Sequence, residues 1–175
     1  MCGRYQTPDE DGVEVRPGDE TIVETAQGKK RLHWGVKLQK SSRLIINARS
    51  ETAQTKPLFR TAMQQGRCIV AASRFFEWDA KKRCHAFTSA QNETLYMAGL
   101  YLKTNDGKES LVILTQAARN GCEKVHSRMP CLLPSAEYRY LWLHDNALSP
   151  ELLCMDAPLT IQQVVSKEEQ LHFLP

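Results

Sequence analysis

Ten short runs of apolar or alternating residues, broken by turn signals, leave this chain few folds to choose from. They lie at Thr21–Thr25, Lys30–Leu38, Leu44–Ala48, Arg67–Ala72, Phe75–Asp79, His85–Ser89, Leu95–Leu100, Ser110–Thr115, Met129–Leu133 and Leu159–Val165. Pro17-Gly18, Ala26-Gln27-Gly28, Lys81-Lys82-Arg83, Asn92 and Asn105-Asp106-Gly107 supply turn chemistry between them. Helix is expected in part of Ser50–Gln65, where Pro57 must start or break it, over Ala117–Lys124, and over Ala136–Leu143 behind Pro134-Ser135. Without a βαβ rhythm, the pattern predicts an α+β fold: a barrel-like, mostly antiparallel β core with a few short helices. The 175 residues hold no repeat, low-complexity tract or linker, so one domain over 1–175 is expected.

No apolar run approaches the ~18 residues of a membrane-spanning helix, and no signal-peptide pattern opens the chain. A cytoplasmic address follows. In such a chain the six cysteines, Cys2, Cys68, Cys84, Cys122, Cys131 and Cys154, do not read as a disulfide framework. Cys122 and His126 have helical spacing but lack further ligands, so neither metal nor cofactor is expected. Cys68 and Cys131, beside aliphatic neighbours, read as small core residues.

The net charge of +3 conceals an uneven distribution. Residues 1–27 hold two basic and seven acidic residues, residues 28–83 fourteen basic and three acidic, and residues 84–175 seven basic and ten acidic. Gathered on one face, the basic middle makes a phosphate-binding footprint. Scattered, it is solvated surface.

Residues able to carry chemistry fall in four places. Cys2 is small enough for an aminopeptidase to remove Met1 in front of it, leaving an α-amine (pKa ~8) beside a thiol (~8.5). Such a 1,2-aminothiol attacks an aldehyde twice, forming first a Schiff base and then a thiazolidine ring. Taken alone, a cysteine at a frayed terminus signifies little. Asn47 ends an apolar strand, and Arg49, two residues on, projects to the same side in extended backbone. That pair suits a sugar and a phosphate, although a turn asparagine beside a surface arginine is commoner. Glu77 sits among Phe75, Phe76 and Trp78, and two readings of it stand level. One is a desolvated carboxyl of raised pKa, fit for acid–base work beside an indole that stacks on a base. The other is an edge strand with Glu77 pointing outward and Phe76 and Trp78 facing the core. His126, at a helix-to-strand junction, can move protons near neutrality, and Arg128 follows at the same two-residue offset. His33, His85, His144 and His172 read as structural. Together these residues make a parts list for aldehyde capture: Cys2 as nucleophile, Glu77 and His126 moving protons, Asn47 orienting, and Arg4, Arg49 and Arg128 holding phosphates.

In order, Cys2-Gly3-Arg4-Tyr5, Asn47-Ala48-Arg49-Ser50-Glu51-Thr52, Phe76-Glu77-Trp78 and His126-Ser127-Arg128-Met129-Pro130 resemble the SOS response-associated peptidase (SRAP) family. Lesser matches are Val15-x-Pro17-Gly18, His33-Trp34-Gly35, Gly66-Arg67-Cys68 and Leu114-Thr115, so the resemblance runs from residue 2 to about 165. It implies an abasic-site processing protein of DNA repair, which binds single-stranded DNA and forms a thiazolidine cross-link between Cys2 and the ring-opened abasic deoxyribose. It further implies that Asn47, Glu77 and His126 line the site around Cys2, that Arg4, Arg49 and Arg128 follow the DNA phosphates, and that lyase and autoproteolytic activities accompany capture. Trp78 is the expected stacking contact. A cytoplasmic monomer, associated with the nucleoid during repair and using no cofactor, metal or membrane, is the resulting expectation.

The chain departs from the family in four respects. Arg4 and Pro17-Gly18 lie close together where relatives usually carry a longer helical insert. Between Gly35 and Asn47 there is no aromatic, where a Pro-x-Trp segment is usual. Ala71-Ala72-Ser73-Arg74 replaces a Pro/Gly-containing turn, and Ser127 stands where Asp is common. Two other functions remain open: a cysteine peptidase acting in trans with Cys2 as nucleophile and His126 as base, and a non-catalytic single-strand binder.

Overall fold

A computed structural model describes residues 2–38, 43–104, 107–147, 149 and 158–164. The chain opens with β1 (Arg4–Gln6) and β2 (Glu14–Val15), followed by the hairpin β3 (Glu20–Thr25) and β4 (Gly28–Trp34). The short β5 (Val36–Lys37) and β6 (Leu44–Ile45) precede β7 (Asn47–Arg49), α1 (Ser50–Ala53) and α2 (Pro57–Gln65). Then come β8 (Arg67–Ala72), β9 (Arg74–Trp78), β10 (Cys84–Ser89), β11 (Leu95–Lys103) and β12 (Glu109–Ala117). A 3-10 turn at Cys122–Lys124, β13 (Arg128–Pro130), α3 (Ala136–His144) and β14 (Leu159–Gln163) complete the described elements.

Strands β11, β8, β3, β4 and β12 pair in that order, and β12 pairs back to β11, closing a five-stranded barrel. Only β4–β12 is parallel within that ring. A second, wholly antiparallel sheet runs β14-β10-β9-β1-β2. Val23, Leu32, Cys68, Val70, Met97, Leu111 and Ile113, drawn from all five barrel strands, fill the interior, where Tyr5, Phe75 and Phe87 of the second sheet join them. The alternate residues Ile69, Ala98, Leu100, Val112 and Leu114 pack outside with Phe59, Met63 and Trp142 of the helices. Strands buried on both faces explain the nearly continuous apolar runs of β8, β11 and β12.

The barrel is built so that one edge of β12 serves two strands in turn. β4 pairs with Ser110 and Leu111, and β7 takes over at Ile113 to Thr115. The hand-over happens at Gly35, whose φ of +119° favours glycine and where a Cβ would press to 3.1–3.2 Å on the side chains of Leu44 and Ile46. Trp34 Nε1 donates to Ile46 O at 2.9 Å, holding the returning chain in register. Asn47 is thereby delivered to the barrel end that the second sheet covers.

Some expected elements differ. The run Lys30–Leu38 is divided at Gly35, and Ala117–Lys124 is not a helix. Ala117 ends β12, and the left-handed Asn120 (φ 56°) and Gly121 (φ 89°) leave room for one 3-10 turn only. Pro57 starts α2 at its first turn and separates it from α1. Asn105 and Asp106, Val165, Cys154 and His172 lie outside the described residues. Among the described residues no helix is long and apolar enough to cross a membrane, and no group of three or more His, Cys, Asp or Glu is gathered to hold a metal ion.

Candidate active site

The site lies at the seam between barrel and second sheet. β1 is sandwiched between β2 and β9, with Arg4 opposite Phe76, so the residues just before it are carried under the sheet and Cys2 is fully buried. β9 is an internal strand, flanked by β1 and β10. Its alternation puts Phe75 and Glu77 on the inner face and Phe76 and Trp78 on the other. The outward-pointing alternative for Glu77 is thereby overturned: Glu77 is 2% exposed. Phe76 and Trp78 instead pack on Arg4, whose guanidinium carbon lies 4.3 Å from one ring centre and 5.0 Å from the other.

Burial pushes the Glu77 carboxyl up to about 7, against the pull of the positive amino terminus of the chain. Burial, reinforced by the Glu77 charge, raises the Cys2 thiol far above the usual cysteine range, and the thiol donates to Arg4 O at 3.7 Å. Asn47 Nδ2 donates to Cys2 O at 2.9 Å. The other end of that carboxamide, Oδ1, is buried and accepts no hydrogen bond among the described residues. A buried acceptor left open is costly unless something fills it.

His126 follows the 3-10 turn, and its Nδ1 accepts from the Arg128 backbone N–H at 3.0 Å. A neutral ring in that pose carries its proton on Nε2. Desolvation, then the amino-terminal charge, lowers its pKa. The Glu77 charge acts on the buried Cys2 thiol, and Asn47 is hydrogen-bonded to the Cys2 backbone, so three of the four expected site residues stand together.

The arginines form the rim, but most are already engaged. Arg128 makes a bidentate pair with Glu51 at 2.6 and 2.9 Å, and that pair holds the Glu51 carboxyl below its usual range. Arg4 reaches Glu14 at 3.4 Å and donates to Cys84 Sγ at 3.0 Å. Arg49 is exposed at the end of β7, opposite Thr115. Within the basic middle of the sequence, three residues are engaged inside the fold. Arg67 is buried against α3, Lys30 pairs with Glu109, and Arg83 pairs with Asp79. Two neighbours join the site: Cys122, whose buried thiol is raised by desolvation and then by the Glu123 and Glu77 charges, and Glu51, whose pairing with Arg128 the sequence reading does not name. The offset of two between Arg49 and Glu51 was the available signal for the second.

The family model described as SOS response associated peptidase (SRAP) matches residues 4–168. The chain is 33% identical over 148 residues to the abasic site processing protein YobE of Bacillus subtilis, covering 76% of this chain and 67% of that one. It is 32% identical over 136 residues to YoaM of the same organism, described likewise, covering 70% of this chain and 60% of that protein. The chain thus spans about two-thirds or less of the length of these relatives. A crystal structure of a Bordetella bronchiseptica protein superposes with a TM-score of 0.78 at 23% identity, covering 94% of this chain and 100% of that one, a likeness of fold. Motifs, model match and relatives agree: the chain belongs to the SOS response associated peptidase (SRAP) family.

Proposed function

We propose that this protein processes abasic sites in single-stranded DNA by covalent capture at Cys2. Relatives described as abasic site processing proteins suggest the substrate. The observation that carries the mechanism is the convergence of Asn47 and Glu77 on the buried Cys2.

The abasic deoxyribose is mostly a closed hemiacetal. A carboxyl of pKa near 7 holds enough of both protonation states to give a proton to the ring oxygen and take one from the anomeric hydroxyl. After hydrolytic removal of Met1, the Cys2 amine adds to C1′ and water leaves as the Schiff base forms. The thiol then adds across C=N: the S–C1′ bond forms, and the thiol proton reaches nitrogen by way of Glu77. One water is lost in all. Asn47 holds the Cys2 backbone, and its open Oδ1 accepts from a sugar hydroxyl. His126, neutral at pH 7 because its pKa is lowered, removes a C2′ proton when ring closure fails, which gives strand cleavage by β-elimination. In the unprocessed chain, hydrolysis of the bond before Cys2 is the autoproteolytic step that frees the amine. Arg4, Arg49, Arg128 and Trp78 position the strand, and the protein acts as a cytoplasmic monomer at the nucleoid.

A cysteine peptidase acting in trans requires a thiolate of lowered pKa beside an imidazolium. The Cys2 thiol is shifted the other way, which favours attack by the amine. The test is a denaturing gel with three single strands: abasic, borohydride-reduced abasic, and intact. Retention of the first alone is expected. Retention of none, with equal native binding of all three, means a non-catalytic binder.

A further inference from the structure

The second sheet turns one face to the barrel and the other outward. Phe75 and Phe87 stack at 4.8 Å on the inner face, beside Tyr5. Alternate residues form the outer face, and the register lays them in rows. One row runs Arg4, Phe76, Ala86, Gln162, and the next Gln6, Arg74, Thr88, Thr160. Trp78 and Cys84 begin a third. Along β9 this face therefore reads Arg74, Phe76, Trp78, and the turn that follows adds the exposed Lys81 and Lys82.

Cations stand at both ends of this line and over its aromatic middle. The Arg4 guanidinium lies over Phe76 and Trp78. Of the three tryptophans, Trp78 is partly exposed, while Trp34 and Trp142 are fully buried. Arg74 is exposed and forms no ion pair with the described residues. Beside it, Ser73, Thr88, Asn92 and Thr94 line a hollow of about 240 Å³, with hydroxyls and a carboxamide of the kind that hold a phosphate. The acidic groups on this side are Glu14, bound by Arg4 and Arg16, Asp79, bound by Arg83, and Glu93 on the wall of the hollow. From Arg74 to Trp78 the strand rises about 13 Å, room for about four stacked nucleotides of one strand.

We propose that the outer face of the second sheet is a platform for the single strand that flanks the lesion. The strand runs lengthwise over β9, with a phosphate seated by Arg74 at one end and by Lys81 and Lys82 at the other. The proposal extends the strand-positioning role given above to Arg4 and Trp78, and it rests on single-stranded DNA being the substrate. Phosphates meet the cations while bases stack on Trp78 and on the Arg4 guanidinium, so recognition is independent of sequence. Arg4 follows Cys2 by two residues, and a strand lying on this face therefore reaches the site where Arg4 stands.

The test uses an intact oligothymidine strand, which has no aldehyde to capture, so binding is read apart from the chemistry. Quenching of tryptophan emission reports stacking on Trp78, because the other two indoles are buried, and salt titrations report phosphate contacts. Wild type, Trp78→Leu, Arg74→Ala and the double variant Lys81→Ala, Lys82→Ala are compared, each checked for an unchanged fold by circular dichroism. The strand is expected to quench wild type and not Trp78→Leu. Arg74→Ala should weaken binding about fivefold near 0.1 M salt and reduce the salt slope by about 0.7, and the double variant should reduce the slope by about twice that. Affinity and slope unmoved in both charge variants overturn the proposal, as does a wild type that leaves the strand unbound or binds it without quenching. Abasic strand is then added to the same proteins. The expected binding changes without any adduct remove the capture chemistry and leave the platform standing; adduct with binding indifferent to Arg74 and both lysines does the reverse.

Discussion

The Asn47 carboxamide donates to the Cys2 carbonyl across 2.9 Å, joining residues 45 apart in sequence. Asn47 stands where it does because β7 takes the edge of β12 that β4 vacates at Gly35. Cys2 is there because β1 pairs with both β2 and β9. The bond thus ties β7, on the edge of the barrel strand β12, to the residues that lead into β1 of the second sheet.

Asn47→Ala removes that tie. Adduct formation is expected to slow by about 10- to 100-fold, because the Cys2 amine loses its fixed approach, while affinity for single-stranded DNA stays unchanged. Rapid-quench single-turnover kinetics beside equilibrium binding separates the two.

Glu77 couples activity to stability. Its folded pKa of about 7 lies above the unfolded value of ~4.3. Its contribution is therefore fully present below pH ~4 and lost as pH rises through 7. At pH 8 the wild type carries a burial cost of about 3–4 kcal/mol that Glu77→Gln avoids. Thermal melts should show the variant more stable at pH 8, the gap closing by pH ~4.5, with adduct formation down about 100-fold.

Arg128 offers two measurable effects. Arg128→Ala should weaken single-strand binding for all sequences alike and reduce the salt slope by about 0.7. Glu51→Gln, which releases the guanidinium from its bidentate partner, should tighten binding at low salt. Glu51 is 43% exposed, so the pair contributes at most about 1 kcal/mol to stability. Salt titrations of fluorescence anisotropy report both variants.

Arg67 serves the fold. It donates to the carbonyls of Met63, Trp142, Asp145 and Asn146 at 2.9–3.4 Å, and lies over the Trp142 ring. Arg67→Ala leaves those acceptors unpaired and should cost about 3 kcal/mol. Denaturant unfolding measures it, and the protein that stays folded should still form adduct.

Strand alternation and turn residues made most of the barrel legible in the sequence, and Pro57 and Ser135 marked where α2 and α3 begin. The division at Gly35 was not legible, because positive φ there serves a contact with Leu44 and Ile46 that arises only in three dimensions. The helix expected at Ala117–Lys124 failed because Asn120 and Gly121 adopt left-handed backbone. At the site, Glu77 could not be assigned a face without knowing that β9 is internal. The register that sets His85 opposite Glu77 is a cross-strand relation, which no local pattern reveals. The basic middle stays open in the sequence for a related reason: charge says nothing about which arginines, such as Arg67, the fold turns inward.

Intact-mass spectrometry before and after incubation with an abasic single-stranded oligonucleotide tests covalent capture most directly. The account predicts loss of Met1, then a gain equal to the oligonucleotide less one water, absent in Cys2→Ala. An unmodified mass from protein that has lost Met1, or an adduct that persists in Cys2→Ala, contradicts it.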